Sequence, residues 1–221
     1  MELNEYLAVR RAYNRVRQLL LTEDRITFDE YALLIHLEAA SRPVRTSEIA
    51  TYQQCLRPTM THRTHHLSEL GFLDRQSGER DRRNIICTIS EKGAAEVANL
   101  TKAVIAQLTV DPIYEETMTK KRLKHMVDAM GTCGTTARDL IILCLYAFNE
   151  KSLSVTDIVN RTGLLQPTVS MAANTLIEGG FIEKVATPAS HRIRMHLSDL
   201  GRAYAEEIKV DIEDIRIHYR A

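Results

Sequence analysis

The stretch LRPTMTHRTHHLSELGFL, Leu56 to Leu73, decides the fold, because the chain carries it twice. At Leu165 to Ile182 the sequence reads LQPTVSMAANTLIEGGFI; Pro58, Thr59, Leu67, Gly71 and Phe72 meet Pro167, Thr168, Leu176, Gly180 and Phe181 at one constant offset of 109 residues. Each copy predicts a short helix, opened by a Pro where no backbone N–H is needed and closed by a Gly just past the last turn. In the first copy Met60, Thr64 and Leu67 fall at i, i+4 and i+7 and form the inner face. Pro58, Thr61, His62, His65 and His66 then point away, and that outward face is the candidate site.

The flanking sequence repeats at the same spacing. Thr27-Phe-Asp-Glu30 has the form of a capping box ahead of the apolar run Tyr31 to Leu37, and Thr136 to Tyr146 matches it. Thr46-Ser-Glu-Ile49, with Thr46 as the expected cap, matches Val155-Thr-Asp-Ile158. After each glycine, two short apolar stretches flank a polar tip and predict a β-hairpin, Phe72 to Ser90 and Phe181 to Ser198. The second hairpin is one residue shorter, which suits a hairpin tip. Helices are expected over Glu2 to Leu21, from Glu91 to about Leu108, from Ile113 to Met130 and from Gly201 to about His218. Glu2 to Leu21 has its counterpart at Asp111 to Met130, so two similar domains are expected, 1–108 and 109–221. Gly131-Thr-Cys-Gly134 is the strongest break signal between the halves.

Lys plus Arg number 29 against 29 Asp plus Glu, so no global field singles out nucleic acid or membrane as partner. A DNA reading must rest on local patches. From Arg57 to Arg83 six arginines stand against four acids, a formal +2 beside three histidines; from Gln166 to Leu197 three cations stand against two acids, a formal +1. The first residues lack the apolar region of a signal peptide, and no run approaches the ~18 apolar residues of a membrane span. A cytoplasmic protein without membrane contact is expected. Cys55, Cys87, Cys133 and Cys144 show neither a CxxC nor a metal-like spacing and are read as reduced thiols.

Two helices leading into a Pro-opened third, followed by a hairpin, make a winged helix-turn-helix. The fold class expected is therefore mainly α with small β-hairpin wings, two such units being related by a pseudo-two-fold. A major groove admits one helix, and a basic hairpin tip reaches phosphates or the adjacent minor groove. The candidate DNA-binding residues are Arg57, Thr59, Thr61, His62, His65 and His66 on the first helix and Arg80, Arg82 and Arg83 at its wing. In the second copy they are Thr168, Ser170, Met171 and Asn174, with Arg192 at the wing. Asn174 could pair bidentately with adenine, while Thr or Met methyls could touch thymine. The unlike faces predict unlike half-sites.

Asp81-Arg-Arg-Asn-Ile-Ile-Cys-Thr-Ile-Ser-Glu-Lys-Gly93 resembles the wing of MarR-family transcription regulators, which carries a DxR pattern, a hydrophobic strand and an LT-x-x-G turn. Asp81 and Arg83 match DxR, Ile89-Ser90 stands for the LT pair and Gly93 matches the turn. The resemblance covers Thr27 to Gly93 well and Thr136 to Gly201 less well, since the acid position becomes Ala189 and the arginine position His191. It implies an arginine at the wing tip entering the minor groove, with Asp81 helping to hold the wing. MarR-like proteins are usually homodimers, and this chain resembles the tandem members of the staphylococcal Sar group, in which one polypeptide carries both units. That implies a monomer imitating a dimer, with homodimers also allowed, and two recognition helices about 34 to 36 Å apart on double-stranded DNA. Relatives bind small aromatic acids between the DNA-binding lobe and the helical dimer region, which implies a small-molecule effector. Some sense oxidants through a cysteine, which draws attention to Cys55.

Other readings weigh less. His62, His65 and His66 are spaced as metal ligands can be, but no Glu accompanies them as in HExxH, and the second copy lacks all three. No metal or cofactor is expected. No nucleophile elbow, P-loop or GxGxxG marks an enzyme. Arg10, Arg11, Arg15 and Arg17 on the first helix are read as a solvated face. The alternative function is a winged-helix protein–protein interaction module without specific DNA binding, which the balanced charge favours.

Overall fold

A computed structural model of the chain describes residues 1–77, 85–110, 112–148, 152–185 and 193–217. The first repeat begins with α1 (Leu3–Leu19), a 3-10 turn (Thr22–Asp24) and α2 (Phe28–Ala40). Next come β1 (Val44–Arg45), α3 (Thr46–Tyr52), α4 (Arg57–Glu69), β2 (Leu73–Ser77), β3 (Ile85–Ile89) and α5 (Glu91–Leu108). The second runs α6 (Pro112–Glu115), α7 (Lys120–Met130), α8 (Ala137–Ala147), β4 (Leu153–Ser154), α9 (Val155–Thr162), α10 (Gln166–Glu178), β5 (Ile182–Val185), β6 (Arg194–Leu197) and α11 (Asp199–Glu213). The fold is mainly helical, with two winged helix-turn-helix units.

Local chemistry explains the element boundaries. Thr27 and Glu30 form the expected capping box, and Thr136 with Asp139 forms its counterpart at the start of α8. At α3 the expectation fails: the cap position is Arg45, and Thr46 lies inside the helix, its hydroxyl donating to the Ile85 carbonyl at 3.4 Å. The matching helix α9 carries a full capping box from Ser154 and Asp157. Both repeat helices have Pro within the first turn and end on a left-handed glycine, Gly71 (φ +73°) and Gly180 (φ +75°). The following amide reaches back across the last turn, Phe72 N–H to the Leu67 carbonyl and Phe181 N–H to the Leu176 carbonyl, each at 2.9 Å. These are Schellman closures, in which glycine avoids the Cβ penalty of the left-handed state.

The helix expected over Ile113 to Met130 is interrupted. The first segment ends at Glu115, and Thr119 caps the next, its side chain accepting from the Arg122 N–H.

Each hairpin gains a third, two-residue strand that the sequence pattern did not suggest, giving the orders β1-β3-β2 and β4-β6-β5. Register carries the one-residue slip: Leu73 pairs with Ile89, whereas Ile182 pairs with Leu197, offsets of 109 and 108. The hairpin tips, 78–84 and 186–192, lie outside the described residues.

Contacts gather the chain into two compact units that cut across the expected 1–108 and 109–221 segments. One unit holds Met1–Arg15 and Thr135–Ile215; the other holds Val16–Gly134, joined by Arg216 and Ile217. The break signal at Gly131 to Gly134 coincides with one of these cuts. In the first unit Tyr6 bonds the Thr135 hydroxyl at 2.6 Å, and Asn14 donates to the Thr162 carbonyl at 2.9 Å. Its core gathers Ile141, Ile142, Leu145, Ile158, Val169, Leu176 and Met195 from α8, α9, α10 and β6. In the second unit α7 packs on α2, with His36 bonded to Asp128 at 3.1 Å and Lys124 to Glu38 at 2.6 Å.

Arg10 departs from the solvated-face reading, while Arg15 is exposed and Arg11 and Arg17 are half-buried. Arg10 is only 7% exposed and donates to the Thr135 carbonyl; Arg15 donates to the Asn160 carbonyl and Arg17 to that of Ile26. Each guanidinium spans from an apolar helix face to a carbonyl left without a helical donor, which a long donor-rich side chain does better than water.

The α9 cap gives a pH-linked prediction. Hydrogen bonds from the Ser154 backbone and hydroxyl, the largest influences, hold the Asp157 carboxyl below its ordinary value, with Arg194 and Arg161 adding to the effect. A lowered folded value means that the stabilisation is complete above the ordinary carboxylate range and is lost as pH falls through the folded value. Ser154→Ala should cost about 1 kcal/mol at pH 7, and the difference from wild type should shrink in acid denaturation curves below the carboxylate range. An undiminished difference there would show that the cap acts without the charge.

Candidate nucleic-acid interface

The phase of α4 follows from what it buries: Met60, Thr64 and Leu67 face inward, as the spacing predicts. Arg57, Thr59, Thr61, His62 and His65 are exposed. Thr61 turns its hydroxyl proton back to the Arg57 carbonyl at 3.0 Å, leaving its methyl and oxygen lone pairs for a ligand. His65 Nδ1 lies 3.1 Å from Glu69 Oε2 in an exposed i, i+4 pair, so one acid borders this face. In α10, Val169, Ala173 and Leu176 are buried, Met171 is 73% exposed and Asn174 is exposed, while Thr168 and Ser170 are half-buried.

His66 does not share the outward face. Its Nδ1 lies 2.7 Å from Glu30 Oε1, and its side chain is 35% exposed against 3% for Glu30. With 3.6 residues to a turn, each residue advances about 100°, so His66, one residue before the buried Leu67, lies near the border between faces, where a buried carboxylate captures the ring. One turn earlier, Arg63 bonds the Asp29 carboxylate and donates to Gln53 Oε1 at 3.1 Å. Gln53 is itself buried and donates to the Asp29 carbonyl at 3.1 Å. Sequence reading missed Arg63 as an anchor. Its partner Asp29 lies 34 residues away on another helix, and no local pattern links the two.

The wing candidates Arg80, Arg82, Arg83 and Arg192 lie outside the described residues, as do Asp81, Ala189 and His191. The strand bases that carry the wings are described. Ser90 caps α5 and donates to the Gly71 carbonyl at 2.7 Å, and Ser198 caps α11 and donates to the Gly180 carbonyl at 2.6 Å. Each serine therefore ties the end of α4 or α10 to the helix that leaves the hairpin.

Burial raises the thiols of three cysteines: Cys87 to about 11, Cys144 to about 12, and Cys55 upward as well, with Arg63 opposing the shift. A raised thiol holds little thiolate at neutral pH, the opposite of what an oxidant sensor needs. Among the described residues, no group of three or more His, Cys, Asp or Glu is arranged to hold a metal ion, and no helix is long and apolar enough to cross a membrane. A groove of about 240 Å³ lies between α2 and α7, lined by Ile35, Glu38, Lys121, Lys124, His125 and Asp128.

No curated protein matches the chain. Among solved structures it is similar to ScpB from Mycobacterium tuberculosis at 14% identity, over 86% of this chain and 98% of that one, with a TM-score of 0.26. So loose a superposition carries no functional inference. Residues 134–193, the stretch from the start of the second winged helix to its hairpin and less than half of the chain, match the model of the MarR family.

Proposed function

We propose that the chain is a sequence-specific regulator of transcription that binds double-stranded DNA through two winged helix-turn-helix units. The observation that carries this reading is the exposed row Arg57, Thr59, Thr61, His62 and His65 on α4, beside a hairpin, in an arrangement that recurs around α10. A helix of this length suits a major groove, and a basic hairpin tip suits the phosphates beside it. The MarR match over 134–193 supports the same reading. In this proposal Thr168, Ser170, Met171 and Asn174 serve the second half-site, and Arg80, Arg82, Arg83 and Arg192 serve the wings. One chain of two repeats, 1–108 and 109–221, stands in for a dimer on one imperfectly palindromic site, as in the Sar-like arrangement. A small acidic effector would find cations in the α2–α7 groove.

A second reading has a specific observation behind it. Between Gln166 and Glu178 α10 carries no cation, and Met171 is its most exposed large apolar side chain, as a protein-binding face would have it.

Titrating the chain against random-sequence duplexes of about 25 base pairs at two salt concentrations, with mass determined in solution, separates the two. Steeply salt-dependent binding by one chain per duplex supports the regulator. Absence of binding at low salt favours the protein-binding module. Within the DNA reading, Asn174→Ala should alter preference at one base pair by about 1–3 kcal/mol, whereas Arg83→Ala should weaken binding to all sequences and reduce the salt slope by about one charge. Uniform losses for Asn174→Ala would rule out its pairing with adenine.

A further inference from the structure

We infer that Glu30 and His66 are positioning residues that fix the rotation of α4, so that His66 serves sequence recognition from behind the helix instead of touching DNA; this rests on the regulator reading. Glu30 is almost fully buried and uses both carboxylate oxygens. Oε2 accepts the Thr27 N–H at 2.6 Å, closing the α2 capping box, while Oε1 faces His66 Nδ1 at 2.7 Å. A carboxylate oxygen only accepts, so Nδ1 carries the proton. One buried side chain thus ties the first turn of α2 to the last turn of α4.

The tie is doubled one turn earlier. Arg63 reaches Asp29, the chain neighbour of Glu30, and Gln53 at the end of α3. Both anchors sit next in sequence to outward residues, Arg63 to His62 and His66 to His65. A few degrees of rotation of α4 would strain both anchors and re-aim both exposed rings together. Opening a hydrogen bond to a buried charge is costly, so the clamp resists that rotation.

The second repeat is built otherwise. The positions of Asp29, Glu30, Gln53, Arg63 and His66 hold Arg138, Asp139, Thr162, Ala172 and Thr175. Asp139 accepts from the Tyr204 hydroxyl at 2.9 Å, and the Thr175 hydroxyl bonds the Met171 carbonyl of its own helix at 3.2 Å. Val169, Ala173 and Leu176 seat α10 by apolar packing. The orientation of α4 therefore depends on a polar clamp that α10 does not share.

A double-mutant cycle on the full chain tests this, using Glu30→Gln, His66→Ala and both together against a duplex selected from a random library and an unrelated duplex. Each single change should weaken binding to the selected duplex about tenfold, and the double change should weaken it no further than either alone. Affinity for the unrelated duplex and the salt slope should stay at wild-type values, because neither side chain meets DNA. His66→Asn, which keeps a donor near the Nδ1 position, should recover most of the affinity and guards against losses from unfolding. Additive losses, a salt slope reduced by His66→Ala, wild-type binding by Glu30→Gln, or no recovery in His66→Asn would each overturn the assignment. If the wild-type chain selects no sequence, the regulator reading fails, and this inference fails with it.

Discussion

Gly93→Ala should lose about 3 kcal/mol of folding stability, measured by chemical denaturation. A Cβ at Gly93 would lie 1.9 Å from the Phe72 carbonyl oxygen and 2.8 Å from its carbon. The obstacle is backbone, so no rotamer change relieves it. Moving that carbonyl would break its bond from the Ser90 N–H at 3.1 Å, on which the hairpin exit depends. Alanine in a helix is otherwise favoured over glycine by about 1 kcal/mol, so the clash must overcome that preference, and at this separation it does. Gly201, in the other unit, stands in the same relation to the Phe181 carbonyl oxygen, at 2.0 Å, and Gly201→Ala should behave alike. A stabilised alanine variant at either position would show that the helix can stand off from the hairpin and that the close approach is not required.

Leu67→Ala should cost a similar amount, about 3 kcal/mol, through lost burial and the cavity left behind, since Leu67 is fully buried under α4. Thr61→Ala on the same helix should change stability by no more than about 0.5 kcal/mol, and His62→Ala with His65→Ala should likewise spare folding. The contrast tests the phase of α4, because a rotation of the helix by a third of a turn would exchange the two outcomes. Near-equal losses for Leu67→Ala and Thr61→Ala would contradict the inner face on which the DNA-contacting assignment depends.

Much of this architecture could be read locally. Pro58 and Gly71, with Pro167 and Gly180, frame two helices because proline costs nothing in a first turn and glycine tolerates the left-handed closure. The Thr27–Glu30 box lies within four residues and needs nothing beyond its own turn. The constant offset of 109 located the second copy of the helix and hairpin, and its slip to 108 located the shorter hairpin. Where local signals competed, reading was less sure: Thr46 resembles a cap but lies inside α3, and Thr119 divides a segment whose apolar spacing runs on. The two-residue strands β1 and β4 are too short to leave a period in the sequence.

The sequence by itself determined the Pro-opened, Gly-closed helices α4 and α10, the capping box of α2 and the inner face of α4, because each of these signals lies within a turn or two of the feature it sets. Tertiary structure alone decided that α1 residues 1–15 gather with the second repeat, that the α1 arginines serve backbone carbonyls, and that His66 turns to Glu30. Apart from Arg17, whose partner Ile26 lies nine residues away, those contacts join partners 36 to 145 residues apart in the chain. Which of several polar side chains reaches a buried carboxylate or an open carbonyl is set by the packing that brings them together, and no spacing along the chain records it.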